Sequence, residues 1–113
     1  MERKMEDRMP RNALLIAGRV SKRTGIPLDD IVQYYVKKRR IIAQERQPLE
    51  GKYAVWGIDL FDENYWIAAR GSTGEEVAQI ARRMTDEAES ISRSDRNMTM
   101  VYCAYDPKGK YLG

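Results

Sequence analysis

The sequence predicts an α+β domain: a small, mostly antiparallel sheet with one amphipathic helix on one face and an N-terminal helical pair on the other face or at an end. Three observations lead there. Apolar residues recur at helical spacing as far as Gln44, and strand-like alternation begins only after Pro48 and Gly51 interrupt that pattern. A long apolar stripe from Val77 to Ile91 then separates two pairs of strand-like segments. The expected element order is ααββαββ, and each amphipathic face needs a surface to bury against.

A charged tail over residues 1–11 comes first; MERKMEDRMPR lacks the apolar core of a secretory signal, so a solvated, flexible segment is expected. The remaining residues, 12–113, read as a single domain, divided into a helical pair over 12–46 and a ββαββ unit over 53–113. The first helix is predicted from Asn12 to Arg23, where Ala13, Ile16, Ala17 and Val20 share a face. The second starts at Pro27, a favoured first-turn residue, and runs to Gln44. Asp29 and Asp30 lie at the positive end of its dipole and Lys37 to Arg40 toward the negative end.

YAVWGIDL and YWIAAR alternate as the arms of a hairpin. A turn over FDEN places Leu60 opposite Tyr65, Ile58 opposite Ile67 and Trp56 opposite Ala69, all on one side. That even-numbered face is expected to take the helix of residues 77–91, and helices one and two are expected on the other, with Tyr53, Val55, Trp66, Val101 and Cys103. Ser72 or Thr73, with Glu75 or Glu76 three residues on, gives a capping box in either register. MTMVYCAY is apolar on both faces and reads as a buried central strand; DPKG is a turn, and KYLG a short edge strand.

Composition narrows the function classes. Hydrophobic residues make up 42% and charged residues 33%, which suits a folded globular chain. No apolar run approaches the roughly 18 residues a membrane span requires. A single cysteine, Cys103, excludes an internal disulfide and fits a reducing, cytoplasmic setting. The absence of histidine removes the commonest general base and metal ligand. Asp59, Asp62 and Glu63 lack the count and spacing of a calcium loop, and the glycines of GSTGEE are accounted for by a helix cap. The expectation is a protein that is not an enzyme and needs no cofactor or metal. Charge is uneven: residues 1–46 hold 12 Lys/Arg against 6 Asp/Glu, and residues 47–113 hold 8 against 11. A basic half is the sign expected for a polyanion partner.

VSKRTGIPLDDIVQY supplies the sharpest motif. Small Ser21, Gly25 four residues later, and the apolar Ile26, Ile31 and Tyr34 fit a helix-turn-helix, in which a small residue lets two helices approach and a glycine turns the chain between them. With the Tyr34–Tyr35 pair and the basic stretch that follows, residues 20–41 resemble the start of the mercury-resistance-type family of transcription activators. The family's tyrosine pair stands one residue closer to the glycine, an arginine usually replaces Gln33, and a coiled coil follows where this chain turns to strands. The resemblance implies DNA phosphate contacts by Ser21 to Thr24 and by the basic end of helix two. An ordinary helical hairpin instead predicts that Leu28, Ile31, Val32 and Tyr35 pack inward.

The leading expectation is a small nucleic-acid-binding or regulatory protein that contacts phosphates through Lys22, Arg23, Gln33, Lys37, Lys38, Arg39 and Arg40. Four consecutive cations spread around a helix, so Lys37 to Arg40 do not all reach one ligand. The competing expectation is a protein-binding module, an inhibitor or accessory factor of phage or mobile-element type, acting through Phe61, Asp62, Glu63 and Trp66 at the hairpin.

Overall fold

The computed structural model describes residues 9–44, 52–62 and 64–113. Three helices, α1 (Arg11–Thr24), α2 (Leu28–Gln44) and α3 (Gly74–Ser92), accompany three strands, β1 (Tyr53–Asp59), β2 (Tyr65–Gly71) and β3 (Met100–Tyr105), in the order ααββαβ. The sheet is antiparallel with strand order β2-β1-β3.

Helix α1 begins inside the segment expected to be a tail, and Met9 joins the core at its start. It ends at Gly25, whose φ of 80° is left-handed and whose N–H donates to the Ser21 carbonyl. Ser21 Oγ donates to the Ile26 carbonyl at 2.6 Å, and Thr24 Oγ1 accepts from the Ile26 N–H at 3.2 Å, so side chains pin the turn. Ile31, Val32, Tyr35 and Val36 of α2 pack inward as a helical hairpin requires, whereas Leu28 stays outside at 40% exposure. Thr73 caps α3, accepting from the Glu76 N–H at 3.1 Å, while Glu76 reaches back to the Ser72 N–H.

The hairpin forms with a different register from the expected one. Ile58 lies opposite Tyr65 and Trp56 opposite Ile67. The turn is wider because Asp59 Oδ1 accepts from the backbone N–H groups of both Phe61 and Asp62. Leu60, just past β1, pairs with no residue of β2 and donates its N–H to the Thr99 carbonyl. Further along, Val55 faces Ala69, so Ala68 is an extra residue and Ala69 swings to the opposite side of the sheet.

The two faces of β1 also exchange their expected partners, while Val101 and Cys103 lie with α1 and α2 as expected. β3 sets Val101 and Cys103 beside Ile58 and Trp56, giving a broad apolar surface that takes α1 and α2 through Ile16, Val20, Tyr35 and Ile42. The other face presents small residues, Val55, Ala69 and Ala104, and α3 lays Val77 and Ala81 onto it. Helix α3 lies close enough for Thr85 to serve the outer edge of β3: its Oγ1 accepts from the Tyr102 N–H at 3.0 Å and donates to the Tyr102 carbonyl at 3.3 Å. The expected fourth strand does not form among the described residues. The C-terminal segment bonds to Ala104, closes a turn between Asp106 and Lys110, and makes an isolated bridge, Tyr105 to Tyr111.

Candidate functional site

Along α2 the four consecutive cations part company, since successive helical residues point about 100° apart. Gln33, Lys37 and Arg40 are exposed. Lys38 is half-buried, its Nζ 5.3 Å from the centroid of the Tyr65 ring and 5.7 Å from that of Tyr34. Arg39 is a core residue at 3% exposure, which corrects its assignment to a phosphate-contacting surface. Its guanidinium lies 4.3 Å from the Tyr111 ring centroid and 5.8 Å from that of Tyr35, and ring faces compensate part of the lost hydration. The Arg39 carbonyl accepts the Tyr105 hydroxyl at 2.7 Å, and the Tyr35 and Tyr111 hydroxyls meet at 3.3 Å. Burial pushes the phenols of Tyr35, Tyr105 and Tyr111 upward, so they are neutral partners for that cation.

Lys22 and Arg23 are exposed in the last turn of α1. They do not meet the α2 cations. Lys37 lies nine residues past the start of α2, or about 14 Å along its axis. Their neighbours instead come from the far end of α3, because α1 and α3 run alongside in the same direction: Asn12 bonds Asp86, and one helical stretch later Arg19 bonds Glu89. The result is a groove of about 620 Å³ lined by Arg19, Lys22, Arg23, Ser92, Arg93, Ser94 and Arg96.

Glu89 organises one wall. Its Oε2 accepts from Arg19 Nη1 at 2.9 Å and from Arg93 Nε at 2.9 Å, and its Oε1 from Arg93 Nη2 at 2.8 Å. Arg19 also donates to Ser92 Oγ at 2.6 Å. The hydrogen bond from Arg93, followed by that from Arg19, holds the Glu89 carboxyl down at about 2 against the opposing effect of burial. One carboxylate thus fixes two arginines, while no ion pair among the described residues engages Lys22, Arg23 or Arg96. The groove keeps a net positive charge.

A second recess, about 370 Å³, adjoins it and is lined by Arg23, Thr24, Phe61, Asp62, Arg96, Asn97 and Thr99. Arg23 and Arg96 belong to both. The hairpin tip reaches this recess because Asp59 Oδ1, besides shaping the turn, accepts from Thr99 Oγ1 at 2.8 Å and so ties the tip to the segment before β3. Phe61 is left 52% exposed there. Trp66 lines neither recess: a side chain at Gly57 would come within 2.6 Å of its ring, which also meets Tyr102 edge-on at 6.4 Å. Glu63 lies outside the described residues.

The structure therefore brings Arg23 together with Phe61 and Asp62, sets Lys22 in the adjoining groove, and leaves Gln33, Lys37 and Arg40 outside both recesses. Arg19, Arg93, Arg96 and Asn97 are not among the residues that motif and charge-run reasoning singles out. The Glu89–Arg93 spacing of four residues was the one local signal available. Among the described residues, no helix is long and apolar enough to cross a membrane, and no group of three or more Cys, Asp or Glu is placed to hold a metal ion. Comparison with protein-family models, curated proteins and solved structures returns no match to this chain.

Proposed function

We propose that this is a small, non-enzymatic nucleic-acid-binding or regulatory protein whose phosphate-contacting surface is the groove between the ends of α1 and α3. The observation that carries the reading is convergence: five cations, Arg19, Lys22, Arg23, Arg93 and Arg96, line one concave surface together with Ser92 and Ser94. Cations in a groove bind polyanions by displacing condensed counterions, whereas the Ser92 and Ser94 hydroxyls are spent on the Glu89 and Ile91 carbonyls and serve the groove's shape. The exposed Gln33, Lys37 and Arg40 of α2 are placed for accessory contacts at most, since they open on a different part of the surface. The reading does not depend on the helix-turn-helix resemblance.

The test is binding to labelled random-sequence DNA, single- and double-stranded, at rising salt. Each phosphate neutralised contributes about 0.7 to 0.9 to the log–log salt slope, so the combined change Lys22→Gln, Arg23→Gln and Arg96→Gln should lower the slope by about two to three and weaken binding strongly. Lys37→Gln with Arg40→Gln should do much less. No binding to either DNA at low salt, or binding indifferent to the triple change, would sink the proposal.

A second reading is favoured by the exposure of Phe61 at a projecting tip: docking of a protein partner onto Phe61 and Asp62. A pull-down from cell extract with and without nuclease separates the two. Retention that survives nuclease and is lost in Phe61→Ala favours the protein partner.

A further inference from the structure

Resting on the phosphate-groove reading, we infer that the bound nucleic acid is single-stranded, with its backbone along Arg19, Arg23 and Arg96 and a base stacked on Phe61. The two recesses share Arg23 and Arg96, so the cationic track leads directly to the aromatic ring. Other large apolar side chains are exposed, such as Leu14, Leu15 and Ile91, but Phe61 alone is aromatic and shares a recess with cations free of ion pairs among the described residues. A duplex buries its base faces within the stack, leaving Phe61 nothing to stack on. A single strand offers both a flexible phosphodiester and open π faces, and a concave basic track ending in an aromatic is the arrangement that engages both.

The remaining groups fit that polarity. Asn97 uses its backbone N–H on Asp95 Oδ1, and its side-chain amide has no hydrogen-bond partner among the described residues, leaving it available to a base edge. The Thr24 and Thr99 hydroxyls are committed to protein contacts, Thr24 to the Val20 carbonyl and Thr99 to Asp59. Three acids border the track: Glu89 is held by two arginines, Asp95 bonds Asn97, and Asp62 stands beside Phe61. Asp62 repels phosphate, so the backbone passes on the Arg23 and Arg96 side while the uncharged base occupies the Phe61 side.

The experiment is fluorescence anisotropy with a fluorescein-labelled oligothymidylate of about twelve nucleotides. A duplex of equal length and a labelled polyglutamate peptide serve as competing probes, each titrated against the intact protein, Phe61→Ala, Phe61→Trp and Arg96→Gln. Phe61 is exposed, and a thermal melt confirms that its variants fold. The proposal expects the single strand to bind more tightly than the duplex. Phe61→Ala should weaken the single strand roughly five-fold or more and leave the duplex unchanged, with Phe61→Trp retaining affinity. Arg96→Gln should weaken both nucleic acids. Equal binding of duplex and single strand, with Phe61→Ala silent, overturns the single-strand inference but leaves the phosphate groove standing. Preference for polyglutamate overturns it in favour of an acidic protein segment, and no binding to any probe removes both readings.

Discussion

Glu89 is the residue on which the candidate site turns, since it fastens Arg19 of α1 to Arg93 at the end of α3. Its carboxyl titrates at about 2 in the folded chain, below its ordinary value of 4.5, chiefly through the hydrogen bond from Arg93. A depressed carboxyl favours the fold above the unfolded value and loses that contribution as pH falls through the folded one. The stability difference between the parent and Glu89→Gln should therefore be constant above pH 4.5 and shrink between 4.5 and about 2, as read from urea midpoints over that range. A difference that persists unchanged to the acid end contradicts the assignment. Arg39 shows where residue-level reading of the sequence ends. Its position in KKRR marks a charged helix end, but nothing local reveals that Tyr111, distant in the chain, supplies the ring that receives it. Lys38 is similar, its place set by Tyr65 across the fold.

At the scale of elements, Thr85 joins helix to sheet by serving both the N–H and the carbonyl of Tyr102. It is 2% exposed, so no water replaces a lost hydroxyl. Thr85→Val keeps the shape and strands two buried backbone groups, which should cost about 1–3 kcal/mol in a urea melt, while Thr85→Ser should recover most of it. The helices themselves were legible, because periodicity and caps are local: α3 starts at Thr73 as one of the two capping registers required. Hairpin existence was legible too, but its register was not, because Asp59 widens the turn through bonds to Phe61, Asp62 and, far along the chain, Thr99. Which helix covers which face depended in turn on how β3 pairs with β1, a long-range choice that alternation along one strand does not encode.

For the molecule as a whole, Cys103 serves as a reporter. It is fully buried between the sheet and the N-terminal helices, and burial pushes its thiol up to about 12. Alkylation at neutral pH should be negligible in the folded state and proceed readily in denaturant, with the labelling rate at intermediate urea tracking global opening. Rapid labelling of native protein would mean that the two layers separate locally. The candidate site is a property at this same scale. Residues near 19–23, 61–62 and 93–97 converge on it, and the acidic C-terminal portion contributes Arg93 and Arg96 against its own average charge. Segment-by-segment charge counting finds a basic N-terminal half and stops there.

Ala68, the unpaired residue in β2, has an effect beyond redirecting Ala69. β2 is an outer strand of the sheet, and a straight outer strand offers the backbone of any neighbouring molecule a template to zip onto. The kink breaks that template partway, so copies of the chain at high concentration meet an irregular rim instead of a ready docking rail.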